Sequence, residues 1–169
     1  ALAEELMRSG PTLDDKLAGM ILLSERLLIR GLYSLDNFPV FGQLFDDGCL
    51  DNFCVVDHFA EKILSRFLHQ TPERAAQVLL EWSSSDNMWR ARAGLTAFLP
   101  YARDENLRSY IRSGCILLLQ RSEDEAKTTT GSLLRAISKP DEDVLDVAGV
   151  QFVMEFLCTD SLLVQFSRS

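Results

Sequence analysis

The sequence has few residues of the types that build metal centres or cross membranes. Its apolar runs, such as Val78–Leu80 and Ile116–Leu119, are much shorter than the roughly 20 residues that a membrane-spanning helix requires. It contains 2 histidines, His58 and His69, and no Cys-x-x-Cys pair accompanies either of them. Since a structural zinc site needs such a combination, we expect no metal centre.

The chain also lacks the short motifs that mark common catalytic sites. It has no Gly-x-x-x-x-Gly-Lys-Ser/Thr loop and no Gly-x-Gly-x-x-Gly after a strand, so a nucleotide cradle is not expected. It has no Gly-x-Ser-x-Gly turn of the kind that presents a nucleophilic serine.

The 4 cysteines are scattered at Cys49, Cys54, Cys115 and Cys158. Three of them lie inside apolar helical patterns, where a free cysteine behaves as a small hydrophobic residue. We therefore expect four reduced thiols and an intracellular protein, either cytoplasmic or nuclear.

The 169 residues are enough for one domain with a substantial core, and 47% of them are hydrophobic. The net charge of −8 is unevenly distributed: residues 1–57 carry −6, 58–85 carry 0, 86–139 carry +3 and 140–169 carry −5. One positive segment between acidic segments is the part of the chain best suited to an anionic partner. The chain begins at Ala1, so we expect a piece of a longer protein.

Apolar spacing and helix-start residues predict an all-α fold, because strand signals are weak throughout. Helices are predicted to begin near Thr12, Asp36, Asp51, Thr71, Asp86, Asp104, Ser122 and Asp141. The starts near Asp51, Asp86 and Ser122 are about 35 residues apart, a spacing typical of helical repeats. We expect residues 1–169 to form a single HEAT-like solenoid, a right-handed superhelix of antiparallel helix pairs.

Individual helices have specific sequence signals. The third predicted helix carries one apolar stripe from Phe53 to Phe67. Thr71-Pro72-Glu73 has the pattern of an N-cap, a first-turn proline and an acidic first turn. Ser122 and Glu125 form a possible capping box, and Pro140 is expected to end the helix that follows.

Two segments resemble a known family. Phe53 is followed four residues later by Asp57, and the segment Trp82-x-x-Ser85-x-Asn87-x-Trp89-x-x-Arg92 follows. Both segments are similar to the AlkD-like DNA alkylation-repair glycosylases, whose pattern is an aromatic residue, three residues and Asp, then Trp-x-x-Ser-x-Asn-x-Trp-x-x-Arg. The resemblance continues through residues 127–135 and covers about residues 45–140. Relative to that family, this chain is expected to lack some N-terminal helices.

The resemblance implies a HEAT-like fold that grips duplex DNA and hydrolyses the N-glycosidic bond of N3- or N7-alkylated purines, without a metal or organic cofactor. Asp57 aligns with the catalytic carboxylate of the family, and Phe53 aligns with a tryptophan that packs on the sugar and the cationic base. Arg92 aligns with an arginine that contacts the phosphate backbone, and Lys127 and Arg135 are further phosphate candidates.

Two more positions belong to the implied DNA-binding surface. Trp89 lies in the matching segment, and Ser132 stands where the family has a second aromatic residue. Both Ser132 and Phe53 therefore depart from the family pattern, since a hydroxyl offers no aromatic face and a phenyl ring attracts cations less strongly than an indole.

Each candidate residue also has a structural explanation. Asp57 suits the positive end of a helix dipole, and Phe53 suits a core position. Trp82 and Trp89 suit packing between facing helices, and Arg92 suits a buried bridge between helices. Exposed lysines and arginines such as Lys127 and Arg135 are usually plain surface charges.

Three functions remain open from the sequence. The first is a DNA-3-methyladenine/7-methylguanine-type glycosylase, and the second is a non-catalytic HEAT-like protein that binds DNA structure. The third is a scaffold that holds a protein partner in its groove. DNA binding is expected to be weak and sensitive to salt, because phosphate binding depends on clustered basic residues.

Overall fold

A computed structural model of the chain describes residues 2–28 and 30–138, and every regular element within them is helical, with no strand. The predicted all-α class is therefore confirmed for this part of the chain, whereas the predicted helix after Pro140 and Cys158 lie outside it. The α-helices in chain order are α1 (Leu2–Ser9), α2 (Leu13–Leu22), α3 (Phe38–Asp46), α4 (Phe53–Phe59), α5 (Ser65–Gln70), α6 (Pro72–Ser83), α7 (Met88–Thr96), α8 (Arg108–Leu119) and α9 (Asp124–Ser138). A π-helical turn, Leu23–Leu28, continues α2, and another, Ala60–Leu64, joins α4 to α5, while 3-10 turns occupy Leu35–Asn37 and Leu99–Tyr101.

Several helices begin where polar side chains satisfy the first free N–H groups. Thr12 caps α2 by accepting from the N–H of Asp15 at 3.2 Å, in a full capping box. Asn52 caps α4 by accepting from the N–H of Val55 at 3.1 Å. The predicted starts near Thr12 and Asp51 are therefore confirmed within a residue or two.

Other predicted starts are displaced. Thr71 precedes α6 as expected, but its hydroxyl donates to the carbonyl of Phe67 at 3.3 Å instead of capping the new helix. Asn87, not Asp86, caps α7 by accepting from the N–H groups of residues 89 and 90. Asp104 organises a turn by accepting from the N–H of Asn106 at 2.9 Å, so α8 begins four residues later. Likewise, α9 begins two residues after Ser122.

The predicted third helix is a continuous helical run from α4 through the π turn to α5. Its apolar stripe is buried at Val56, Phe59, Ala60, Ile63, Leu64 and Phe67. The exception is the first member, Phe53, which is 43% exposed. The stripe therefore fixes the core side of this run, and Phe53 lies beyond that core.

The helices pack in a way that agrees with the spacing read from the sequence. Helix α7 contacts both α4 and α9, and α6 contacts both α5 and α8. Helices α6 and α7 pack on each other, which joins these two rows. Successive members of the first row begin 35 and 36 residues apart. Helices α4, α7 and α9, which are distant in sequence, therefore lie side by side, with α7 in the middle.

Close packing of α6 on α7 depends on Gly94. A Cβ atom at this position would lie 2.6 Å from the carbonyl oxygen of Leu79 and 2.9 Å from the main-chain nitrogen of Ser83. Since both of these neighbours are backbone atoms of α6, any side chain would push the helices apart. Gly94 therefore fixes the position of α7, the helix that carries the central residues of the candidate site.

Aromatic rings dominate the core next to that site. Trp82 packs edge-on against Phe38 and Phe45, with ring centroids 5.2 Å and 5.6 Å apart. Phe59 of α4 contacts Phe45 at 5.8 Å. These contacts confirm the structural explanation of Trp82, which is a core residue.

The described thiols are free, as predicted, but they differ in environment. Cys115 is buried, and burial raises the pKa of its thiol to about 12. Cys54 is exposed on α4 and Cys49 is half-buried, so only one of the three behaves as a small core residue. No helix in the described part of the chain is long and apolar enough to span a membrane.

Candidate functional site

One guanidinium group, that of Arg92 on α7, joins three helices. Its Nε and Nη2 donate to the two carboxylate oxygens of Asp57 on α4, at 2.8 Å and 2.7 Å. Its Nη1 donates to the carbonyl of Glu125 at 3.1 Å and to the hydroxyl of Thr129, both on α9. Asp57 and Arg92 are 35 residues apart in sequence, and the packing of α4 on α7 brings them together.

The two partners of this ion pair differ in exposure. The side chain of Arg92 is 7% exposed, whereas that of Asp57 is 35% exposed. A carboxylate has about four lone-pair positions, and the two-point contact with Arg92 uses two of them. Asp57 is therefore held in one orientation and still presents part of its carboxylate to solvent.

Phe53 lies one helical turn before Asp57, so both side chains are on the same side of α4. The guanidinium carbon of Arg92 lies 4.5 Å from the centroid of the Phe53 ring. Trp89 meets the same ring edge-on, at 5.4 Å and an interplanar angle of 90°. Phe53 is consequently an exposed ring with fixed neighbours, and the expectation that it belongs to the core is wrong.

Arg92, predicted from the resemblance to contact phosphate, is the buried bridge that the sequence left as its alternative. Four of the five N–H groups of a guanidinium are accounted for by Asp57, Glu125 and Thr129. Asp57 therefore pairs with Arg92. It does not cap α4, because Asn52 is the N-cap of that helix.

Helix α9 places its three predicted residues differently. Ser132 is exposed and lies one turn beyond Thr129, next to the part of α9 that contacts Arg92. Arg135 is exposed one turn further along. Lys127 is two residues from Thr129, which places it on roughly the opposite side of the helix, and it pairs with Asp124 at 3.1 Å. Ser132 therefore borders the site, Arg135 follows it, and Lys127 lies apart.

Thr129 and the carbonyl of Glu125 were not predicted from the sequence. Thr129 is 4% exposed, and its hydroxyl donates to the Glu125 carbonyl at 2.8 Å while it accepts from Arg92. A buried arginine needs several acceptors, so a threonine on the buried side of a helix is a natural partner. That signal was present in the sequence, but only the packing of α7 on α9 identifies which of the three consecutive threonines is used.

A second arginine on α7 has similar types of partner on the other side of the helix. Arg90 donates to the carbonyl of Gly42 at 2.6 Å and to the carboxylate of Asp46, both on α3. Its guanidinium carbon lies 5.8 Å from the centroid of the Trp82 ring. This second junction attaches α7 to α3 and involves a ring of the core.

The chemistry available at the first junction follows from its partners. An oriented, partly exposed carboxylate next to an exposed ring can stabilise positive charge or bind a water molecule. The described residues contain no group of three His, Cys, Asp or Glu side chains that could hold a metal ion. The carboxylate of Asp57 and the ring of Phe53 are the groups that this junction presents to solvent.

Comparison with known proteins gives one match. The sequence model of a family described as "DNA alkylation repair enzyme" matches residues 1–151 of the 169. No curated protein and no solved structure matches the chain. The matched region includes every residue of the junction around Arg92.

Proposed function

Because this chain belongs to the DNA alkylation repair enzyme family, we propose that it is a DNA glycosylase acting in the cytoplasm or nucleus. Its substrate is duplex DNA carrying N3- or N7-alkylated purines, from which it releases the damaged base by hydrolysing the N-glycosidic bond. The observation that carries this proposal is the geometry of the Asp57 carboxylate. Both of its oxygens accept hydrogen bonds from Arg92, while 35% of the side chain remains exposed.

The chemistry suits a site with a single carboxylate. Alkylation at N3 or N7 makes the purine cationic, so the base already is a good leaving group. As the bond to the sugar breaks, positive charge develops on the sugar, and a nearby carboxylate stabilises that charge. The same carboxylate can orient the attacking water and accept its proton. Asp57 would perform both roles through the lone pairs that Arg92 does not use.

Phe53 would supply the second contact to the substrate. Its ring is 43% exposed and lies one turn from Asp57, so a sugar or cationic base next to the carboxylate would also meet the ring. Trp89 packs edge-on against Phe53 and would keep its orientation fixed. We therefore assign Phe53 to substrate contact and Trp89 to its support.

The phosphate backbone would follow α9. Arg135 is exposed beyond Ser132 on this helix, and Ser132 borders the junction with Arg92. A HEAT-like solenoid, with α4, α7 and α9 lining a groove, accounts for the start spacings of 35 and 36 residues and for the contacts of α7 with α4 and α9. In this arrangement Arg135 is a better phosphate contact than Lys127, which is paired with Asp124.

Two observations favour a second function, DNA binding without base excision. Both carboxylate oxygens of Asp57 accept from Arg92, an arrangement that also serves as a purely structural ion pair. In addition, Ser132 offers no aromatic face to a damaged nucleotide. The same family match supports this alternative, so the two functions have to be separated by activity.

The test is release of free 7-methylguanine and 3-methyladenine from methylated duplex DNA, measured by mass spectrometry. We expect release by the unchanged protein and a loss of about a thousandfold in rate for Asp57→Asn, since this change removes the negative charge. Asp46→Asn is the matched control, because Asp46 also pairs with an arginine of α7.

Release by the unchanged protein and by Asp46→Asn, but not by Asp57→Asn, supports the glycosylase. Equal release by all three proteins would remove Asp57 from the mechanism. Tight binding of methylated duplex without any released base would favour the second function.

A further inference from the structure

We propose that Thr129 is a positioning residue that holds the guanidinium of Arg92 in the orientation that presents Asp57 to DNA. This inference rests on the glycosylase function, since it assigns a task to a residue that touches neither substrate nor carboxylate. The hydroxyl of Thr129 accepts from Nη1 of Arg92, on the side of the guanidinium away from Asp57.

The direction of each hydrogen bond is fixed by the hydroxyl itself. A threonine hydroxyl has one hydrogen to donate, and in Thr129 it donates to the carbonyl of Glu125 at 2.8 Å. Its lone pairs are thereby left for the N–H of Arg92. The same Glu125 carbonyl also accepts from Nη1 of Arg92 at 3.1 Å. The Thr129 hydroxyl and the Glu125 carbonyl, which are joined by a hydrogen bond, therefore both accept from one nitrogen of the guanidinium.

This contact determines which edge of the guanidinium faces Asp57. A guanidinium is planar, so holding Nη1 against α9 leaves the edge formed by Nε and Nη2 free for a two-point contact. That edge bonds both oxygens of Asp57, at 2.8 Å and 2.7 Å. Loss of the Thr129 hydroxyl would leave Nη1 less firmly held. Because the guanidinium is planar, a displacement of Nη1 would also displace Nε and Nη2, and with them the carboxylate of Asp57. Small displacements of this kind reduce catalytic rates strongly.

Thr130 provides a control that is close to ideal. It is fully buried on the same helix, and its hydroxyl donates to the carbonyl four residues earlier at 2.9 Å, as that of Thr129 does at 2.8 Å. Its hydrogen bond is with Ala126 rather than with Arg92. Replacing either threonine by valine removes one helix hydrogen bond and preserves the shape, but only Thr129→Val removes an acceptor from Arg92.

The first measurement is the single-turnover rate of base release, together with the affinity for the same duplex. We expect Thr129→Val to slow release on the order of tenfold with affinity unchanged, because the lost bond is to a charged group. Thr129→Ser should restore the rate, since it keeps the hydroxyl, and Thr130→Val should release at the rate of the unchanged protein. Equal rates for Thr129→Val and Thr130→Val would overturn the proposal.

A second measurement needs no activity and separates this inference from the proposed function. The Nε–H of Arg92 can be followed by NMR, and its exchange with water reports how firmly the guanidinium is held. We expect exchange to be about tenfold faster in Thr129→Val than in Thr130→Val. If the unchanged protein releases no base, the glycosylase assignment fails and this comparison alone decides the positioning role. Identical exchange in the two valine variants would contradict that role.

Discussion

Arg90 and Arg92 lie two residues apart on α7 and bind the same kinds of partner on opposite sides of the helix. Each pairs with a carboxylate from an earlier helix, Asp46 or Asp57, and each donates to a main-chain carbonyl. Their burial differs, because the side chain of Arg90 is 22% exposed and that of Arg92 is 7% exposed. The more deeply buried arginine is the one whose position is fixed by more neighbours.

The rings next to these arginines differ in the opposite sense. Trp82, beside Arg90, is 9% exposed and packs within the aromatic core, whereas Phe53, beside Arg92, is 43% exposed. A buried arginine beneath an exposed ring and a partly exposed carboxylate is an arrangement that costs stability and gains little packing. An arginine that joins a surface carboxylate to a core tryptophan is what helix packing alone would require. The comparison favours a structural role for the Arg90 junction, and it supports the role that we propose for the Arg92 junction.

The largest expected difference between the junctions is in stability. Arg92→Met should lower the free energy of unfolding by about 2 kcal/mol, since it leaves the half-buried Asp57 carboxylate and two acceptors on α9 without their donor. Arg90→Met should lower it by about 1 kcal/mol, because Asp46 is 47% exposed and regains water. Urea unfolding followed by circular dichroism measures both. Equal losses would show that the two junctions contribute equally to the free energy of unfolding, and they would contradict the difference proposed between them.

Much of this arrangement could be predicted from the sequence, because it depends on residues that are close together in the chain. The helix starts near Thr12 and Asp51 and the apolar stripe of the α4 run depend on neighbouring residues, and they were predicted closely. The pairing of Asp57 with Arg92 was not predicted, although both residues were singled out. It depends on how α4 packs against α7, which no local pattern specifies.

The same reason explains the errors at individual positions. Phe53 has the spacing of a core residue and contacts Trp89 and Arg92 of α7, but it lies at the edge of this contact and 43% of it stays exposed. Lys127 and Arg135 look equivalent in the sequence, and only the structure shows that Lys127 pairs with Asp124. For residues at the edge of a packed surface, apolar spacing does not predict burial.

The second comparison, within α9, predicts a smaller effect on DNA binding. Arg135→Gln should reduce the slope of log affinity against log salt concentration by about 1, as expected for one lost phosphate contact. Lys127→Gln removes the same charge but should change the slope by much less, because Lys127 is already paired with Asp124. Fluorescence anisotropy with a labelled duplex at several salt concentrations measures both. A larger change for Lys127→Gln would identify Lys127, and not Arg135, as the phosphate contact.

The central claim is that the Asp57 carboxylate, and not its counterpart on α3, faces the sugar of the damaged nucleotide. It is tested most directly with two duplexes, one carrying a cationic pyrrolidine in place of the sugar and one carrying the neutral tetrahydrofuran analogue. The unchanged protein and Asp46→Asn should bind the cationic duplex at least about tenfold more tightly, because it mimics the charge that develops during bond cleavage. Asp57→Asn should lose this preference while it still binds the neutral duplex. An undiminished preference in Asp57→Asn would contradict the account.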